Sequence, residues 1–218
     1  MEYLVCALIG YLIGTINPSY IYGKIRGFDI RRRGSGNAGA SNALIIFGKL
    51  TGVIFALLDI AKPCVSVLIC SAIYPENVYV FAIACGGCII GHMFPFYMKF
   101  RGGKGLACLG GTILCFNPLV FLIMFVSEVL LALIVNYLCV MPITAAVIFP
   151  CVHFAMTRNA IASLILLAVG IVIILKHIEN LRRISQGREV HLSYLWKKDT
   201  ELERVNKNAG LDITKERD

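Results

Sequence analysis

The sequence predicts an all-α, polytopic membrane protein with seven transmembrane helices, its N-terminus outside and its C-terminus in the cytoplasm. Three observations carry this. Hydrophobic residues make up 58% of the chain and charged residues 16%, with a mean hydropathy of +0.77. Soluble domains run at about 45–50% and about 25%. The apolar residues also fall into runs close to the roughly 20 residues that a helix needs to cross a bilayer. Finally, the cations gather at the run ends that one side of a membrane would receive.

The first run, Tyr3 to about Tyr22, is interrupted only by Asn17-Pro18. A polar, basic loop follows, from Lys24 through Arg31-Arg32-Arg33 to Asn42. The second run covers about Leu50–Ile73, Tyr74–Asn77 turns the chain, and the third run covers about Val78–Pro95. Leu106–Phe116 is apolar but too short to cross unaided, so it is expected to be held among neighbours with its ends buried in protein. After Asn117-Pro118 come the runs Leu119–Leu138, about Val140–Met156 and about Ala160–Lys176. No internal repeat is visible. Residues 1–190 are read as one membrane domain and 191–218 as a charged cytoplasmic tail. Within that tail His191–Trp196, carrying Tyr194 and Trp196, has the character of an interfacial piece.

If Leu106–Phe116 were instead re-entrant, six crossings would remain and the tail would change sides. Charge decides between the two counts. With seven crossings, one face receives Lys24, Arg26, Arg31, Arg32, Arg33, Lys49, Lys99, Arg101, Lys104 and the basic residues from Lys176 onward. The other face receives only Arg158, and Lys62 lies within a run. Basic loops stay inside, so the crowded face is the cytoplasmic one.

The net charge of +8 therefore reads as an orientation signal rather than a nucleic-acid surface. The nine cysteines are odd in number and mostly sit in apolar runs, as small buried hydrophobes do. Cys85 and Cys88 form a lone C-x-x-C without a second pair, so neither a metal nor a cofactor is expected. The first run lacks the basic start of a secretory signal and is read as a retained span.

Three polar segments converge on the cytoplasmic face. The central one is Gly91–Gly105, GHMFPFYMKFRGGKG, where Lys99, Arg101 and Lys104 stand among Gly102, Gly103 and Gly105. Glycine reaches positive φ without penalty, so such a loop can turn its N–H groups inward into an anion nest. Lys104 adds a point charge suited to phosphate. It is not a P-loop, because Gly105 stands where a hydroxyl residue is required, and nucleotide hydrolysis is unsupported. The first segment, GSGNAGASN, offers Ser35, Gly36, Asn37, Ser41 and Asn42, whose short side chains bond phosphate or hydroxyl groups without crowding. Its plain alternative is a flexible turn. The third, HIENLRRISQGRE, places His177 and Asn180 three residues apart, on one face of a helix continued from the last run. Its plain alternative is a helix cap with a basic anchor. His92 reads as a structural histidine.

In this order and at these positions the three segments resemble the motif pattern of the acyl-phosphate-dependent glycerol-3-phosphate acyltransferases, small bacterial integral membrane enzymes with seven spans. The resemblance covers essentially residues 1–190. It implies a multi-pass protein of the bacterial inner (plasma) membrane with its site on the cytoplasmic face. The implied partners are acyl phosphate, glycerol 3-phosphate and the lipid bilayer, with a monomer expected and no cofactor. It further implies acyl transfer to the sn-1 hydroxyl, giving lysophosphatidic acid. Carried over residue by residue, it assigns Lys104, His177 and Asn180 to catalysis. It assigns Ser35, Asn37, Gly102, Gly103, Gly105 and Glu189 to substrate and phosphate, and the chemistry of the first segment adds Gly36, Ser41 and Asn42. Three positions depart from the pattern. Ile45 replaces an arginine, Asn136-Tyr137-Leu138-Cys139 replaces R-Y-x-S, and Lys62-Pro63 replaces a lysine-glycine pair.

Other chemistries lose ground. The residues five after each histidine are Tyr97, Arg158, Arg182 and Trp196, so the H-x-x-x-x-D box of acyl-CoA-dependent acyltransferases is missing. So is a G-x-S-x-G elbow. The non-enzymatic alternative is a transporter of a small phosphorylated or anionic solute. It rests on Asp59, Lys62, Glu128 and His153 inside spans, where ionisable groups are costly. Asp59 and Lys62 are three apart and can pair on one helix.

Overall fold

The computed structural model describes residues 1–195 together with Lys197, Thr200, Glu201, Arg204, Val205 and Asn208. Its α-helices are α1 (Glu2–Thr15), α2 (Pro18–Ile25), α3 (Ala40–Phe47), α4 (Lys49–Ile73), α5 (Val80–Met93), α6 (Leu106–Phe116), α7 (Pro118–Val135), α8 (Val140–Thr157) and α9 (Ala160–Ser185). Among the described residues six stretches are long and apolar enough to cross a membrane: Glu2–Ile25, Lys49–Ile73, Val80–Met98, Pro118–Val135, Val140–Thr157 and Ala160–Ser185. Helix α6 has 11 residues and so spans only about 16 Å. Leu8, Leu57, Leu68, Leu122, Ile134 and Leu164 point outward and are exposed, as lipid-facing residues of a bundle must be.

The first run is two helices, not one. Asn17 ends α1 and caps α2, its side-chain oxygen accepting from the Tyr20 N–H at 2.8 Å, and Pro18 opens the new helix where its missing N–H costs nothing. The Asn17 side-chain N–H₂ donates to the Ala38 carbonyl at 2.8 Å. The break is thereby a joint between the helix and the loop that follows. A helix unmarked in the sequence reading, α3, begins inside that loop. Helix α9 runs nine residues past the expected end at Lys176, to Ser185, and carries the third motif with it. Trp196, expected at the interface, and residues 209–218 lie outside the described residues.

Helices α1 and α5 meet backbone to backbone. A methyl group on Gly10 or Gly14 would overlap the main chain of Ala84 or Cys88, and one on Gly87 or Gly91 the main chain of Ala7 or Tyr11. These two small-x-x-x-small faces permit the close approach that dispersion needs when lipid offers no hydrophobic drive. Gly14→Leu is expected to abolish recovery of monodisperse protein in detergent, whereas overpacking in a yielding core costs only about 1–3 kcal/mol. Size-exclusion chromatography checks this. Ile89, Met93, Leu109, Phe149, Leu166 and Ile173 form the main apolar core, joining α5, α6, α8 and α9 beneath the polar loops.

Candidate active site

Three polar chain segments meet at a cavity of about 570 Å³ at one end of the bundle, which Asp59 of α4, His92 of α5 and the α7–α8 connection also line, within the range of small-molecule sites. Ser35, Asn37 and Ser41 line it from the first loop, Lys104 and Gly105 from the second, and His177, Asn180 and Glu189 from α9 and its extension. Leu44, Ile45, Leu106, Leu138 and Pro142 form an apolar side. One chamber thus offers both polar donors and a greasy wall.

A chain of polar contacts crosses it. The Lys104 ammonium donates to the Asn180 side-chain oxygen. That contact fixes the Asn180 amide, whose N–H₂ then donates to Glu189 Oε1 at 2.5 Å. Glu189 Oε2 accepts from Arg183 Nε at 2.7 Å, and Arg183 reaches on to Glu179 at 2.8 Å. Burial, followed by the neighbouring Arg183 guanidinium, lowers the Lys104 pKa from its ordinary range. His177 Nδ1 lies 2.8 Å from the Ile173 carbonyl, which can only accept, so Nδ1 carries the proton. In the neutral ring Nε2 is left with the lone pair.

The glycines of the second loop serve a different purpose from the one expected. Only Gly105 has positive φ, at +89°, while Gly102 and Gly103 do not. A methyl on Gly102 would overlap the His92 carbonyl, and one on Gly103 the His92 ring. The Gly103 N–H donates to the His92 carbonyl at 3.1 Å. Gly102 and Gly103 are absent from the chamber wall. They are small because the loop lies flat on a buried histidine, and this delivers Lys104 to the chamber.

Asn42 and Gly36, also assigned to substrate, do not line the chamber either. Asn42 is fully buried. Its oxygen accepts the Ser35 N–H at 2.8 Å, and its N–H₂ lies 2.8 Å from the Asn37 carbonyl and 3.1 Å from those of Ile30 and Arg33. It folds the loop and has no bond left for a ligand. Gly36 takes φ +74° in the same turn.

Arg31, read from sequence as an orientation charge, ties the two loops together. It donates to the Met98 carbonyl at 2.7 Å and the Arg101 carbonyl at 3.1 Å, and it grips Asp29 at 2.7 Å. The guanidinium holds the Asp29 carboxyl below its ordinary pKa. Loss of one charged hydrogen bond, about 1.5 kcal/mol, corresponds to roughly tenfold. Arg31→Ala is therefore expected to lower kcat/KM about tenfold, with Arg31→Lys recovering only part, as initial rates will show.

The ionisable groups within spans are already partnered. Asp59 and Lys62 pair at 2.7 Å, and His92 Nδ1 lies 3.0 Å from Lys62 Nζ. Lys62 also donates to the Ile16 carbonyl at 2.9 Å. Glu128 accepts from the Thr144 hydroxyl at 2.5 Å, and His153 meets Ser163 at 2.7 Å and stacks on Phe81. Such partners weaken the case for a transport pathway. The ligand atoms of Asp59, His92 and Cys108 come within 4.8 Å of one another, a grouping the sequence did not announce. The Lys62 ammonium already supplies the cation there. Cys85 and Cys88 join no metal-capable group among the described residues.

The chain is a helical bundle with apolar spans and a chamber at one end that is part polar, with a lysine, and part apolar. Comparison with known proteins narrows this. Residues 4–187 match the sequence model described as glycerol-3-phosphate acyltransferase. A glycerol-3-phosphate acyltransferase of Streptococcus thermophilus (strain CNRZ 1066) is 34% identical over 203 residues, spanning 87% of this chain and 92% of that one. One from Thermoanaerobacter sp. (strain X514) is 36% identical over 200 residues, 88% and 96% of the two chains. The crystal structure of PlsY (YgiH), an integral membrane glycerol 3-phosphate acyltransferase, in its glycerol 3-phosphate form superposes with a TM-score of 0.81. It is 30% identical and covers 89% of this chain and 98% of that one. The chain belongs to the glycerol-3-phosphate acyltransferase family, enzymes of phospholipid synthesis.

Proposed function

We propose that the protein transfers a fatty acyl group from acyl phosphate to the sn-1 hydroxyl of glycerol 3-phosphate, releasing lysophosphatidic acid and inorganic phosphate. The observation that carries the reading is the single chamber shared by Ser35, Lys104, His177 and Asn180, polar on one side and apolar on the other. An acyl phosphate is a mixed anhydride with a good leaving group, so no enzyme nucleophile is required. The acceptor hydroxyl oxygen attacks the acyl carbon, the carbon–oxygen bond to phosphate breaks, and phosphate leaves with the electron pair. The hydroxyl proton passes to His177 Nε2 or to the acceptor's own phosphate.

Two anions must then be held against one carbonyl while charge moves between them. Lys104 faces that charge. Asn180, held by Lys104 and Glu189, presents a fixed amide, and Ser35 and Asn37 approach from the opposite loop. The apolar wall of Leu44, Leu106 and Leu138 takes the start of the acyl chain. Ile45 at the wall replaces the arginine of the resemblance with an apolar surface, removing one phosphate contact.

Seven crossings with a cytoplasmic site fit the same reading. Lys104 at the start of α6 and Cys139 just after α7 line one chamber, so α6 and α7 together go out and return. That supports counting the short α6 as a crossing, and the basic loops at the chamber end favour the cytoplasmic side for it. Purified protein given glycerol 3-phosphate is expected to release phosphate with an acyl phosphate donor and to leave acyl-CoA untouched. Equal use of acyl-CoA would overturn the donor assignment. Product carrying the acyl group on the second hydroxyl would overturn the regiochemistry.

A further inference from the structure

The family match ends at residue 187, yet the chain beyond it does not leave the site. His191, Leu192 and Tyr194 line the chamber beside Glu189 and Val190. The segment is anchored to the end of α7. The Asn136 carbonyl accepts the Leu192 N–H at 2.8 Å, the Asn136 side-chain oxygen accepts the Ser193 N–H at 3.0 Å, and His191 Nε2 meets the Tyr137 hydroxyl at 3.1 Å.

Residues further along return to the irregular stretch that carries Glu189. Thr200, Glu201, Arg204, Val205 and Asn208 are helical. Arg204 spreads its two terminal nitrogens over two carbonyls, that of Gly187 at 2.7 Å and that of Glu189 at 2.6 Å. Asn208 donates to the Gly187 carbonyl as well, at 2.7 Å. Glu201 is buried and aims Arg204, accepting from it at 3.0 Å, while its other oxygen accepts from His191 Nδ1 at 2.9 Å. Burial alone would raise the Glu201 pKa, but hydrogen bonds from Arg204 and His191 bring it down to about 2. The carboxylate is thus charged at any working pH.

We infer that this C-terminal segment is part of the active site, with Arg204 a positioning residue that sets Glu189 and, through it, Asn180 and Lys104. The geometry gives the reason. Glu189 reaches Asn180 from an irregular stretch just after α9, and gripping its own carbonyl is the direct way to stop that stretch from swinging. Arg204 touches neither Asn180 nor Lys104, so its effect on those two residues passes through Glu189.

The inference rests on the acyl-transfer reading, and the test separates the two. Full-length wild type, Arg204→Ala, Arg204→Lys, Glu189→Gln and the Arg204→Ala/Glu189→Gln double variant are assayed with acyl phosphate and glycerol 3-phosphate. Arg204→Ala is expected to lower kcat/KM on the order of tenfold or more, as small misplacements do, and Arg204→Lys to recover part of it. In Glu189→Gln the further loss from Arg204→Ala is expected to shrink to less than twofold, because coupled residues are not additive. Lys197→Ala, on the exposed side of the segment, is expected to leave the rate unchanged. Should Arg204→Ala fail to fold, Asn208→Ala removes one bond to Gly187 and is expected to lower the rate by a smaller, still coupled factor. Wild-type rates in both Arg204→Ala and Asn208→Ala, or losses that multiply fully with Glu189→Gln, would overturn the inference alone. An inactive wild type would overturn the acyl-transfer reading beneath it.

Discussion

Lys104→Ala is expected to lower kcat roughly 10³-fold, the scale seen when one donor facing transition-state charge is removed. The physical case is direct. A cation about 4 Å from an anion is worth about 4 kcal/mol at an effective dielectric of 20, before desolvation, and here the ammonium is half-buried at a chamber wall. The same substitution frees Asn180, whose oxygen loses its donor, so the amide that Glu189 holds from the other side is no longer fixed. The fold should survive, because Lys104 belongs to a loop and none of the helix seams depends on it. The lowered pKa of Lys104 adds a pH signature. Its charge is lost at a lower pH than the ordinary lysine value of about 10.4, so the alkaline limb of kcat/KM, which reports the free enzyme, falls below that value. Lys104→Arg should move the limb upward even where it lowers the rate. A near-normal rate in Lys104→Ala would remove the lysine from the mechanism.

Gly103→Ala is expected to cost about 10²-fold in kcat/KM although it deletes no charge and no hydrogen-bonding side chain. Its new methyl would overlap the His92 ring. That ring cannot step aside, because its Nδ1 is 3.0 Å from Lys62 and 3.5 Å from Asp59 in a cluster buried among α4 and α5. The loop must therefore lift, and Lys104, one residue on, moves with it. Circular dichroism and detergent elution should match the wild type while initial rates collapse. A fully active Gly103→Ala would mean that the loop has slack that the packing does not show.

These two residues also show how far the sequence could be read. Hydropathy placed most span ends within a few residues, because a bilayer imposes length and polarity directly on the chain, but it missed the nine-residue polar extension of α9 and ran on through the break at Asn17-Pro18. The three motifs were visible because glycines, cations and short polar residues crowd together there, against the apolar runs on either side. Their division of labour was not. Asn37 and Asn42 look alike in GSGNAGASN, yet one lines the chamber and the other spends its amide on four backbone groups. Gly105 needs its positive φ, whereas Gly103 needs only the absence of a methyl, and composition cannot separate the two. Arg31 was counted as one of a run of like charges, since its partners on Met98 and Arg101 are distant in sequence. Arg204 carried no signal, because a cation in a charged tail is unremarkable until the fold brings it to Glu189. The Asp59–Lys62 pair was legible from its spacing of three. Its third member, His92, sits on another helix.

The central claim is that three separate segments share one chamber and all bear on the glycerol 3-phosphate held there, and binding tests it without any chemistry. Titration calorimetry with glycerol 3-phosphate alone should show Kd rising at least tenfold in each of Ser35→Ala, Lys104→Ala and Asn180→Ala. A wild-type Kd in any one of the three, with the protein folded, would mean that its segment does not share the site.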